Sequence, residues 1–181
     1  MNIACLGWGS LVWDPRELPI RGRWFDDGPI LPIEFARKSG DGRITLVICE
    51  RGTPGRTLWA LMSSSKVDAA SQALADREAS PLRSIGVWTS LKAEVNGPEK
   101  AIGEWAMGKK LDAVVWTALT AGLTTAHDSF PSYEQVLTHL RSLPYEKRRV
   151  AEKYVCLAPQ QIDTEYRRRL EQDLGWRQQD R

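Results

Sequence analysis

The chain predicts an α+β fold built on an antiparallel or mixed sheet, and three observations lead there. Between Asn2 and Met62 several short apolar or alternating stretches follow one another with glycine and proline turns between them, and no helix separates them as βαβ units would require. After the serine run Ser63-Ser64-Ser65 the hydrophobic period changes from two to about 3.6. Beyond Ser132 the sequence reads as helices only.

Ile3, Ala4 and Leu6 belong to a first strand over Asn2–Leu6, which runs into the glycine-flanked stretch Gly7-Trp8-Gly9-Ser10-Leu11. Glycine permits positive φ or a close backbone approach. N–H groups exposed in such a turn can converge on an anion or a developing oxyanion, although two glycines also serve a plain strand–turn–strand bend. From Asp14-Pro15 through Pro19, Gly22, Gly28, Pro29 and Pro32 the chain predicts a surface loop. Ile33–Arg37 alternates like a half-buried strand, Gly40-Asp41-Gly42 turns, and the β-branched Ile44–Ile48 predicts a central strand. Arg51–Gly55 turns again before a strand over Thr57–Met62.

Any of Ser63, Ser64 and Ser65 can cap a helix running to about Arg77, with Val67, Ala70 and Leu74 on its apolar side. Ser84–Leu91 reads as extended. Lys92–Lys110 has no clear period, with a turn at Asn96-Gly97-Pro98 and two glycines, Gly103 and Gly108, that break a helix. Leu111–Leu119 is a buried strand. Ser132 and Gln135 have capping-box spacing ahead of Val136, Leu140 and Leu143, and Pro144 ends that helix. Val150, Tyr154 and Leu157 mark a second helix, and Ile162, Tyr166 and Leu170 a third.

Size and composition fit one domain spanning 1–181, because 181 residues can bury a real core and the sequence shows no repeat or boundary. Hydrophobic residues make up 42% and charged residues 27%, the mixture of a globular protein. A net charge of +2, from 25 basic and 23 acidic residues, supplies no global field for nucleic acid or acidic lipid. Three scattered cysteines form no disulfide framework, and Met1–Val12 lacks a basic segment and a cleavage pattern, so a cytoplasmic setting is expected. No apolar run reaches the roughly 18 residues of a membrane span.

Few residues suggest chemistry. One step of four beyond Leu74 brings the apolar stripe to Glu78, a residue type rarely buried unless paired. Facing a cavity it would suit general acid–base work; past the helix end it would be solvated beside Arg77 or Arg83. His127 and His139 have no cysteine or carboxylate cluster at metal-ligand spacing, and His139 reads as a partly buried structural histidine. Cys5 and Cys49 lie in predicted core strands, and a cysteine–histidine dyad would have to form in space. Arg167-Arg168-Arg169 reads as a solvated helix face, and the eight tryptophans as core rather than base-stacking platforms. The glycine stretch matches neither a Walker loop nor a dinucleotide fingerprint.

Taken as a whole, Gly7-Trp8-Gly9-Ser10-Leu11-Val12-Trp13-Asp14-Pro15 resembles the substrate loop of the gamma-glutamylcyclotransferase-like family, and most closely its ChaC branch. Gly55–Leu61 resembles the strand leading into the family's helix. Leu74-Ala75-Asp76-Arg77-Glu78-Ala79 resembles that helix's end, where a catalytic glutamate follows an arginine. The resemblance covers residues 1–120 or so, with the C-terminal helices, about 130–176, matching loosely. It implies a small mixed β-barrel flanked by helices, with no metal or organic cofactor and a small γ-glutamyl compound such as glutathione as substrate. Gly7, Trp8, Gly9, Ser10 and Leu11 would then bind substrate, and Glu78 would move protons. Trp8 stands where the family usually has tyrosine, and Gly86-Val87-Trp88 where further tyrosines are common. The implied activity is release of 5-oxoproline. Alternatives are a non-catalytic small-acid-binding domain of the same fold and an acyl-transfer enzyme acting on another amide.

Overall fold

A computed structural model of the chain describes residues 1–91, 96–124 and 129–178. It is α+β, with two sheets and six helices among the described residues. The described chain divides into two compact units, 1–31 with 56–119 and 32–55 with 120–181.

In the first unit, β1 (Ile3–Gly7) enters a single helical turn, α1 (Ser10–Trp13). The edge strand β2 (Ile20–Phe25) follows, and β3 (Ile30–Lys38) begins here and continues into the second unit. In the second unit come β4 (Ile44–Ile48) and β5 (Thr53–Arg56), the latter returning to the first. Then come β6 (Leu58–Met62), α2 (Val67–Arg77), β7 (Ile85–Thr89), α3 (Pro98–Gly108) and β8 (Ala113–Thr117). The second unit ends with α4 (Tyr133–Ser142), α5 (Tyr145–Leu157) and α6 (Glu165–Leu174).

The five-stranded sheet has the order β2-β6-β1-β8-β7 and is mixed, because β1 and β8 run parallel while the other pairs are antiparallel. All five residues of β1 are buried, since both faces of its sheet are covered. On one face Ile3, Cys5, Ala113, Val115 and Ile85 pack with Leu11 and with Ala70, Leu74 and Ala75 of α2. On the other, Trp88 meets α3 at Gly103, where a Cβ would lie 2.6 Å from the indole nitrogen. That close approach explains why glycine occupies a helix interior there, and why the sequence does not announce α3.

The second sheet has the order β4-β3-β5. Neither sheet closes among the described residues, so the fold is α+β with open sheets and the expected barrel is not shown. Ile44–Ile48 is an edge strand rather than a central one, and β3 is buried on both sides from Ile33 to Ala36 instead of alternating. The predicted surface loop contains β2, whose polar residues suit an edge and whose register shifts between Arg21 and Phe25.

Helix ends also differ from expectation. Lys66, not a serine, precedes α2, and Ser64 instead bonds the backbone of Lys66 in a turn. Both halves of the capping box at Ser132 and Gln135 are present. Val150 is exposed, and α5 buries Ala151, Tyr154, Val155 and Cys156 instead. Arg167 is not solvated: its guanidinium donates to the carbonyls of Ala158 (2.9 Å), Pro159 (2.8 Å) and Ile162 (3.0 Å), beyond the end of α5. Burial pulls its pKa below the usual arginine value.

Candidate active site

β1 delivers the glycine-flanked stretch at its C-terminal end. Neither Gly7 nor Gly9 has positive φ. Gly7 is needed for proximity: a Cβ there would lie 2.8 Å from the ring of Trp24 and 3.0 Å from Val12. Gly9 is the N-cap of α1, and its carbonyl accepts from the Val12 N–H at 3.0 Å. The N–H groups of Ser10 and Leu11 open this turn, where no intrahelical acceptor exists for them. Trp8 is buried at 3% exposure, and the Leu11 side chain belongs to the core. Ser10 is half-buried.

α2 ends at Arg77, leaving Glu78 as its C-cap. The two backbone bonds that close the helix run from Ala79 N–H to Asp76 C=O (3.1 Å) and from Ser80 N–H to Ala75 C=O (3.0 Å). This is a Schellman closure, which puts the residue after the cap in the left-handed region. Here that residue is Ala79, at φ +47. The closure swings the chain off the helix axis immediately after Glu78.

The stripe therefore continues by a step of three, to Arg77, whose side chain is 5% exposed, while Glu78 is 19% exposed. Arg77 joins the pieces. One terminal nitrogen donates to Glu78 Oε1 at 2.7 Å and lies 3.5 Å from Ser10 Oγ. The other lies 3.4 Å from the same hydroxyl and donates to the Asp14 carbonyl at the end of α1. Among the described residues Arg77 Nε is buried with no partner, as is the indole nitrogen of Trp24. Glu78 Oε2 has no partner among the described residues.

The thiol of Cys5 belongs to the same neighbourhood. Burial pushes its pKa up, the Glu78 carboxylate adds to that shift, and the Arg77 guanidinium opposes it. Cys5 is thus held as a neutral thiol and offers no thiolate nucleophile. Cys49 is half-buried just beyond β4, and burial followed by the Glu34 carboxylate pushes it up to about 12. Burial likewise raises Cys156. His139 Nε2 bonds the Gly42 carbonyl at 2.7 Å, a structural contact in the second unit, and His127 lies outside the described residues. Among the described residues no group of three or more histidine, cysteine or carboxylate side chains is placed to hold a metal ion. No described helix is long and apolar enough to cross a membrane.

Of the residues singled out by sequence, Ser10 and Glu78 meet on one guanidinium, Gly7 and Gly9 shape the backbone beside them, and Trp8 and Leu11 contribute packing. Trp24 was not singled out, and Arg77 entered only as the arginine that precedes Glu78, with no role of its own. Arg77 was legible as the three-residue step beyond Leu74, whereas the place of Trp24 depends on a strand hidden among prolines and glycines. No family model, curated protein or solved structure matches the chain.

Proposed function

We propose that the protein is a gamma-glutamylcyclotransferase-like enzyme that releases 5-oxoproline and an amine or peptide from a small γ-glutamyl compound. The observation that carries this reading is the meeting of Ser10 and Glu78 on Arg77, a residue sixty-seven positions from that serine. A loop with backbone donors and a carboxylate with one anchored oxygen are the two components the reaction needs. Cofactor independence and a cytoplasmic metabolite as substrate belong to the same proposal.

In the reaction, the α-amino nitrogen of the γ-glutamyl group attacks its own γ-carbonyl carbon and closes a five-membered ring. Holding the substrate folded supplies part of the roughly 7–11 kcal/mol available from orientation. Glu78 takes the proton that the α-amine must lose, through the oxygen that Arg77 leaves unbound. The carbonyl oxygen becomes an oxyanion, and N–H groups of the Ser10–Leu11 turn stabilise it by about 3 kcal/mol per aimed donor. The amide C–N bond then breaks, and protonated Glu78 returns its proton to the leaving nitrogen. Atoms balance without an added reactant.

The test is incubation with a panel of γ-glutamyl amines and peptides, glutathione included, with 5-oxoproline as the readout. The parent protein releases it from at least one of them. Glu78→Gln lowers kcat by about 10²–10⁴-fold or more, because one residue serves both proton transfers, while KM changes little. Binding without release favours the non-catalytic alternative. A folded Glu78→Gln variant that turns over within a few-fold of the parent removes Glu78 as the acid–base group.

A further inference from the structure

Arg77 is costly to keep where it is. Its side chain is almost wholly buried, its Nε lacks an acceptor among the described residues, and Ala79, two residues on, takes a backbone conformation that alanine disfavours. An apolar side chain at this position would continue the packing of Ala70 and Leu74 without the unpaired donor. Local costs of this kind gather where geometry serves function rather than stability.

We propose, on the cyclotransfer reading, that Arg77 is the positioning residue that sets the Glu78 carboxylate relative to the substrate loop. Its planar fork holds acceptors from three places at once: the Ser10 hydroxyl, the Asp14 carbonyl and Glu78 Oε1. The first two fix α1, and with it the N–H groups of Ser10 and Leu11. The third fixes one carboxylate oxygen and leaves Oε2 for the proton. The base and the oxyanion donors thereby share one rigid reference, although they come from different ends of the unit's sequence. Lysine carries the charge but not the fork, so it cannot span the three acceptors.

The experiment compares the parent, Arg77→Met, Arg77→Lys and Glu78→Gln, and adds Arg77→Met in the Glu78→Gln background. Fold is checked by circular dichroism, and activity by 5-oxoproline release. Arg77→Met lowers kcat by about 10²-fold, the loss expected from a misplaced group, with KM within about three-fold of the parent. Arg77→Lys falls between the two. In the Glu78→Gln background Arg77→Met costs clearly less than it does alone, because the share of its effect that passes through Glu78 is already lost and only the share that passes through α1 remains. A folded Arg77→Met variant with parent-like kcat overturns the inference, as does a full additional loss in the double variant. Should Arg77→Met fail to fold, Arg77→Lys decides alone: parent-like kcat there overturns the inference, and a loss at unchanged KM supports it. A parent that releases no 5-oxoproline defeats the cyclotransfer reading itself. A productive parent matched by its Arg77 variants defeats only the positioning role.

Discussion

Glu34 sits in the second unit with 1% of its surface exposed and donors on every side. Phe35 N–H donates at 2.9 Å, the Thr53 hydroxyl at 3.1 Å and Tyr166 N–H at 3.4 Å, with Thr164 at the N-cap of α6 adding its side chain. A carboxylate at a helix N-terminus meets the positive end of the dipole and orphan N–H groups, so Glu34 ties β3 to α6. Burial nonetheless raises its pKa above the ordinary carboxylate value, against the opposing hydrogen bonds. A raised folded value means that folding favours the protonated form. The stabilisation is therefore complete below the unfolded pKa, about 4.3, and is lost as pH rises through the folded one. Unfolding free energy measured from pH 4 to 7 is expected to contain this falling component in the parent and to lack it in Glu34→Gln. Identical slopes would show that Glu34 does not titrate between the states. Glu78 is held differently, by one buried cation, and Glu78→Gln exchanges an ion pair for a neutral contact. That variant is expected to lose about 1–3 kcal/mol of stability but to remain folded, by denaturant titration.

At the scale of elements, α2 and α3 end alike. Each closes with a Schellman pair of backbone bonds, and each places a residue other than glycine in the left-handed region: Ala79 at φ +47 and Lys110 at φ +56. A Cβ in that region costs about 1–2 kcal/mol, offset in part by the chain entropy that glycine loses on folding. Ala79→Gly and Lys110→Gly are each expected to raise stability by about 0.5–1 kcal/mol, seen as a higher denaturant midpoint at unchanged m. The gain at Lys110 is independent of the candidate site and serves as the reference. A fall in stability at both would mean that the alanine and lysine side chains stabilise these turns by more than their backbone cost. α6 shows another element-level device, because Arg167 faces inward to satisfy three carbonyls while Arg168 and Arg169 pair outward with Asp163 and Glu134.

For the whole molecule, the mixed five-stranded sheet carries the candidate site and the three-stranded sheet carries the Glu34 network, each within its own compact unit. Residues 32–55 group with the C-terminal helices by their contacts, although the sequence runs them on continuously from the first strands. With no ligand cluster among the described residues, a chelator is expected to leave the unfolding midpoint unchanged. A drop on chelation, reversed by a divalent metal, would reveal a structural metal site.

Sequence by itself determined what depends on short-range chemistry. The strand over Ile44–Ile48 has the bounds that its β-branched run predicted, and the capping box at Ser132 starts α4 where Ser-x-x-Gln spacing placed it. The apolar stripe through Val67, Ala70 and Leu74 suggested Glu78 as its next step, but the helix ends at Arg77, which takes that step, and Glu78 is the cap beside it. Tertiary structure alone decided the rest. Gly103 reads as a helix breaker until Trp88 is seen against it, and Arg167 reads as solvated until the carbonyls beyond α5 come within reach. Glu34 looks like the polar side of a half-buried strand until α6 covers it. The link from Ser10 through Arg77 to Glu78 joins residues distant in the chain, and only packing of α2 against the sheet brings them together. In each case the deciding partner is remote in sequence, and local propensity carries no information about a contact made only after the chain has folded.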